Sequence, residues 1–175
     1  YSQADQGMWC CVGSGIESHA KYGEFIYAHR GDSLYVNLFI PSTLTWRQKG
    51  VTITQSGRFP DEERSTITIG GAAKFTLRVR YPAWVAAGAL ELRINGKPVS
   101  VRRDESHYVS LSRQWRDGDR VEIRLPMTTR LEQMPDKSNY YAVLHGPVVL
   151  AAKTRFGQWL YFGTHVDHPG IPARP

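Results

Sequence analysis

Cysteine is almost absent from this chain: 175 residues carry two. They are sequence neighbours, Cys10 and Cys11. A bond between adjacent cysteines closes a strained ring, so the pair staples nothing and a disulfide scaffold is excluded. Long apolar runs are absent too. No stretch approaches the roughly 20 residues needed to span a membrane. The opening Tyr1-Ser2-Gln3-Ala4-Asp5 has neither the basic stretch nor the apolar core of a secretory signal, and it lacks an initiator methionine. The chain therefore reads as a piece of a longer protein, and the parent's compartment stays unassigned. Concentrated charge is also missing. The net charge is +6, from 22 Lys+Arg against 16 Asp+Glu. The arginines are dispersed: Arg78, Arg80, Arg93, Arg102, Arg103, Arg113, Arg116, Arg120 and Arg124 mostly alternate with apolar residues. That is the pattern of strand faces turned to solvent, and it argues against a nucleic-acid partner.

What is present is a packable chain, with 41% hydrophobic and 11% aromatic residues. Its periodicity switches once. Ile16, Ala20, Gly23 and Tyr27 recur at helical spacing, and Ser14 with Glu17 fits a capping box, so a helix is expected from about Gly15 to His29 with Gly31 just beyond its end. After Gly31 the period becomes two. Leu34 to Ile40 is apolar on both faces and reads as a central strand ending at Pro41. Thr45–Gln48, Val51–Gln55, Ser65–Ile69, Phe75–Arg80, Tyr108–Ser112 and Arg120–Leu125 read as further strands. Leu90 to Val101 is a hairpin about Asn95-Gly96, the pair that a type I′ turn favours. Thr128–Gln133, Tyr140–Leu144 and Val148–Ala152 add three strands, and Phe162–Pro175 reads as a linker. About ten short strands with frequent turn signals predict a mainly β protein, an antiparallel β-sandwich preceded by one helix.

The chemistry concentrates at the thiol pair. Thiolates attack electrophiles and bind soft or borderline metals. The same pair also reads as two small buried apolar residues beside Trp9. Glu17 and His19 lie close enough in sequence to join a metal site, but the spacing matches no zinc finger, and Glu17 already has a structural role in the expected cap. Trp46, Trp84 and Trp115 could stack on sugar rings if exposed, although on a sandwich such residues belong in the core.

Several segments together carry a resemblance. They are Cys10-Cys11-Val12-Gly13-Ser14-Gly15-Ile16-Glu17, Lys21 to His29, Leu34 to Ser42, Gln55, Phe59-Pro60, Arg80-Tyr81-Pro82-Ala83-Trp84, Asn95-Gly96 and His145-Gly146-Pro147-Val148-Val149. From about residue 8 to 152 the chain resembles the β-L-arabinofuranosidases of glycoside hydrolase families 127 and 146. The resemblance implies a bacterial parent with an (α/α)6 barrel followed by β-sandwich domains, acting on arabinofuranose-containing glycans. It implies a retaining mechanism with a cysteine nucleophile, which maps to Cys10. It also implies zinc held by cysteines and a glutamate, with Cys11 a zinc ligand and Cys10 held at the same metal. A separate glutamate serves as acid/base. On this reading residues 1–31 end the catalytic barrel and the helix is its remnant. Residues 32–137 form a sandwich, and 138–175 begin a second sandwich or a linker. The family's acid/base and remaining zinc ligands lie upstream, whereas only nine residues precede Cys10 here, with no glutamate or third cysteine among them. The missing N-terminal barrel is thus an expected partner of this chain. Alone, the chain is expected to be a non-catalytic sandwich or a carbohydrate-binding module, and to hold zinc weakly or not at all.

Overall fold

The computed structural model describes residues 10–151, with backbone only for residues 10–13 and 16. The expected strand at Val148–Ala152 is therefore described as far as residue 151, and the expected linker at Phe162–Pro175 lies outside the described residues. One helix, α1 (Cys10–Phe25), leads into β1 (Tyr27–Arg30) and β2 (Ser33–Val36). Then come β3 (Ser42–Trp46), β4 (Val51–Gly57), β5 (Arg64–Gly70) and β6 (Ala73–Arg80). The remaining strands are β7 (Glu91–Ile94), β8 (Lys97–Val99), β9 (Tyr108–Trp115), β10 (Arg120–Arg124), β11 (Thr129–Gln133), β12 (Tyr141–His145) and β13 (Val148–Leu150).

Two sheets make the sandwich, in the orders β1-β2-β6-β9 and β3-β4-β5-β10-β7-β8. Strict alternation is the cause. In β6, Phe75, Leu77 and Val79 are buried while Lys74 and Arg80 are exposed; β10 does the same with Val121 and Ile123. The inward sets of both sheets meet in one core with Leu34, Val36, Ile53, Ile67, Ile69, Leu111 and Trp115. Trp46 of one sheet meets the edge of Phe75 of the other at 5.4 Å, and Phe75 stacks on Trp115 at 5.6 Å. Pairing is antiparallel except between β2 and β6, which run parallel with Leu34 opposite Leu77. A third sheet, β11-β12-β13, follows the sandwich. The hairpin forms as its sequence predicts: Asn95 (φ 51°) and Gly96 (φ 77°) take the positive dihedrals of a type I′ turn between β7 and β8.

The helix differs from its expected bounds at both ends. Ser14 lies inside α1, so it is not the N-cap, and the Ser14–Glu17 capping box is not formed; Cys10 and Cys11 are helical rather than part of a preceding loop. The helix stops at Phe25 because Tyr27 to Arg30 pair with Val36 to Ser33, and sheet pairing outweighs the helical period. Gly31 (φ 54°) serves as a hairpin turn rather than a helix terminus. The strand expected over Leu34–Ile40 ends at Val36, and residues 37–41 form a loop.

Candidate functional site

The site is assembled around the helix that bears the thiols. Cys10 and Cys11 are consecutive residues of α1. From Ser14 to Phe25 every described side chain of the helix is exposed. His19 Nδ1 lies 2.7 Å from the Gly15 carbonyl, and its ring meets Tyr22 edge-on at 5.5 Å. Lys21 pairs with Glu24 at 3.2 Å across one exposed turn. Glu17 and His19 are thus presented to solvent along the helix. Among the described residues no three His, Cys, Asp or Glu side chains gather as a metal site. Two thiolates suit zinc as a donor set, yet they supply only part of the roughly four ligands it takes.

Where α1 ends, the chain is tied into the sandwich. Ile26 is buried; its N–H continues the last helical turn to the Tyr22 carbonyl at 3.2 Å, and its carbonyl accepts the Asn37 N–H at 2.9 Å. The Tyr108 hydroxyl of β9 donates to Asn37 Oδ1 at 2.6 Å. Tyr27 and Ser42 bring their hydroxyl oxygens within 3.2 Å. Burial raises the Tyr27 pKa, with the Ser42 hydrogen bond opposing. Beneath the loop, Gln55 of β4 is 2% exposed, and its Nε2 donates to the Leu38 carbonyl at 2.9 Å and the Ile40 carbonyl at 2.6 Å. The amide orientation follows from the chemistry, since only an NH2 group can serve two carbonyls. The position of Gln55 carries a sequence signal beyond the resemblance: it is the polar member of the buried set Val51, Ile53, Gln55.

The outer face of the first sheet carries one further polar cluster. The Arg78 guanidinium lies over the rings of Tyr35 (4.9 Å) and Tyr108 (5.4 Å) and pairs with Asp104. Arg78 is half-buried rather than simply solvent-facing, in contrast to exposed Arg80, Arg93 and Arg120. The Tyr108 N–H bond and the Arg78 charge outweigh burial and hold the Asp104 carboxyl below the usual carboxylate range. Trp46 and Trp115 are core residues, and half-buried Trp84 stacks on Phe59 at 6.0 Å. None of the three offers an open sugar-stacking platform.

These features define a class: a β-sandwich domain rooted, at its first sheet, to a helix bearing adjacent thiols. The family model for the β-L-arabinofuranosidase GH127 middle domain matches residues 33–127, and the chain belongs to that family. Among solved structures it is similar to a GH127 β-L-arabinofuranosidase from Geobacillus stearothermophilus T6, with TM-score 0.69 and 27% identity over 80% of this chain and 23% of that one. It is also similar to the GH127 β-arabinofuranosidase BT3674, with TM-score 0.69 and 25% identity over 80% of this chain and 25% of that one. A protein described as a glycoside hydrolase shares the fold, with TM-score 0.70 over 85% of this chain and 27% of that one. The chain thus spans about a quarter of the length of these proteins. No curated protein matches it.

Proposed function

We propose that this chain is part of a retaining, zinc-dependent β-L-arabinofuranosidase in which Cys10 is the nucleophile. The observation that carries the reading is continuity. The residues matching the GH127 middle domain begin at 33, and the helix carrying Cys10 and Cys11 runs into that domain through a single short hairpin. The Cys10 thiolate attacks the anomeric carbon of an arabinofuranoside, its sulfur lone pair forming the C–S bond as the glycosidic C–O bond breaks. Water then displaces the sulfur, so the two inversions retain configuration. Zinc, when held by Cys10 and Cys11 with ligands from outside this chain, keeps the thiols ionised at neutral pH. Residues 10–151 supply the nucleophile and its mounting. The leaving group's proton must come from an acid in the rest of the parent, on the far side of the scissile bond. The substrate class is arabinofuranose-containing glycans.

The test uses the full-length parent and an aryl β-L-arabinofuranoside. Cys10→Ser is expected to abolish turnover and Cys11→Ser to abolish both turnover and zinc retention. Mass spectrometry of the wild type trapped with a slow substrate should place one glycosyl unit on Cys10. Full activity in Cys10→Ser would refute the assignment.

A further inference from the structure

We infer that Asn95-Gly96 is a self-modification site, a succinimide-forming pair that the Asp119 carboxylate keeps closed, and that its conversion opens this corner of the sandwich irreversibly. Every group involved lies between residues 69 and 120, inside the span matched by the GH127 middle domain, and none belongs to the thiol-bearing helix. The pair is chemically labile because glycine has no side chain to shield its amide nitrogen. When the asparagine side chain swings over that nitrogen, the Gly96 nitrogen attacks Asn95 Cγ. The N–Cγ bond forms, the Cγ–Nδ2 bond breaks, and the Gly96 amide proton leaves with the side-chain nitrogen as ammonia. Water then opens the five-membered ring at either carbonyl, leaving aspartate or isoaspartate at position 95. Water is the only co-reactant. Of the chain's three asparagines, only Asn95 precedes a glycine.

The fold withholds this reaction by gripping the side chain at both ends. Asn95 Nδ2 donates to Asp119 Oδ1 at 2.8 Å, and Asn95 Oδ1 accepts the Arg120 N–H at 2.8 Å. The Asn95 N–H is itself tied to the Arg120 carbonyl at 2.9 Å. Bringing Cγ into line with the Gly96 nitrogen means rotating the amide away from both partners, so the attacking geometry is excluded while the two bonds stand. Conversion removes the lock for good. A carboxylate at position 95 has no N–H for Asp119 Oδ1, and two negative charges then face each other where a hydrogen bond stood.

The same corner holds a second pair of this kind, Asp117-Gly118, closed by different bonds. The Gly118 N–H donates to the Ile69 carbonyl at 2.8 Å, which occupies the nitrogen that would attack, and Asp117 Oδ1 accepts the Gly71 N–H at 2.7 Å. Loss of the Asp119 carboxylate frees Asn95 and leaves both of those bonds in place. Global unfolding frees both pairs at once. The second pair is therefore an internal control that separates a local lock from general stability.

The experiment is made in the full-length parent, comparing wild type, Asp119→Ala, and wild type in the denaturant concentration that matches the variant's stability. Each is incubated in warm, mildly alkaline buffer, and peptide mass spectrometry reads deamidation at Asn95 and isoaspartate at Asp117. Asp119→Ala is expected to deamidate at Asn95 at least about tenfold faster than either wild-type sample, with isoaspartate at Asp117 unchanged. If Asp119→Ala does not fold, Asp119→Asn, whose amide cannot accept from both Asn95 and Arg116, is read in its place. Asn95→Asp is expected to lower Tm at neutral pH. Facing carboxylates raise a folded pKa, so the penalty is present above that value and fades as pH falls through it, and the gap to wild type narrows with acid. An Asn95 rate in the Asp119 variant no faster than in the stability-matched wild type overturns the lock, as does a wild type that deamidates as fast as its own denatured chain. An Asn95→Asp variant as stable as wild type at neutral pH overturns the irreversible opening.

Discussion

Replacing Asp119 tests whether a turn network, rather than the apolar core alone, holds the six-stranded sheet in register. Asp119 is 6% exposed and sits just before β10. Its Oδ1 accepts Asn95 Nδ2 at 2.8 Å, its Oδ2 accepts the Arg116 N–H at 2.9 Å, and Arg113 lies 3.7 Å away. Asn95 completes the link by accepting the Arg120 N–H at 2.8 Å. Asp119→Ala removes both accepted bonds. Hydrogen bonds to a charged group are worth about 1.5–3 kcal/mol each, but Asn95 and Arg116 are exposed and recover water, which brings the expected loss to about 2–3 kcal/mol. For a domain of this size that is roughly 5–10 °C in Tm. Burial alone would raise the Asp119 pKa, yet the Asn95 and Arg116 bonds and the neighbouring arginine charges hold it below the usual range. A lowered folded pKa means the contribution is present above the unfolded value of about 3.9 and fades as pH falls through the folded value. Urea titrations at pH 7 and at a series of acid pH values should therefore show the gap between wild type and Asp119→Ala closing with acid. A double-mutant cycle with Asn95→Ala should be strongly non-additive, because the two residues share a bond. A loss under about 0.5 kcal/mol at pH 7, or a gap that widens with acid, would refute the reasoning.

Other outcomes follow from the same structure. Trp115→Phe removes the Nε1–H bond to the Phe75 carbonyl at 3.1 Å from a fully buried site, and should cost about 2–3 kcal/mol by denaturant titration. Gly71→Ala should cost more than about 2 kcal/mol, because Gly71 holds φ 87° and a Cβ there would meet the Gly50 carbonyl oxygen at 2.9 Å; thermal unfolding measures it. Residues 1–175 alone should not hydrolyse an aryl β-L-arabinofuranoside, since the proposed mechanism takes its acid from the rest of the parent; measurable turnover abolished by Cys10→Ser would contradict this. The same chain should lose zinc on dialysis against a mild chelator and leave both thiols reactive, and retention of about one zinc per chain would mean a complete ligand set within it.

The sandwich was largely legible because period-two alternation is a direct consequence of burying one face, as in Phe75, Leu77 and Val79 of β6. The Asn95-Gly96 turn was legible because few residue pairs tolerate positive φ twice in succession. The junction was not. Tyr27 to Arg30 carry apolar and polar residues that fit a helix as well as a strand, and only β2, folding back through Gly31, decides between them. Leu34 to Ile40 is apolar on both faces apart from Asn37, and the loop that follows Asn37 is held by a glutamine that arrives from β4. Of the candidate site, the thiol pair was visible as the chain's only cysteines, while the proposed function takes the groups that would complete it from the rest of the parent.

The parallel pairing of β2 with β6 has a consequence for synthesis. β1 and β2 can zip into a hairpin as soon as they leave the ribosome, but the hairpin joins the sheet only through β6, about 40 residues later in the chain. Parallel pairing across that separation must await both the distant strand and the closure of the intervening loop, which makes it slow relative to the local hairpins of the other sheet. A nascent chain would therefore emerge with the β1–β2 hairpin formed and not yet joined to the rest of its sheet. The docking of that hairpin would then be set by Thr76 to Val79, the β6 residues that pair with Ser33 to Val36.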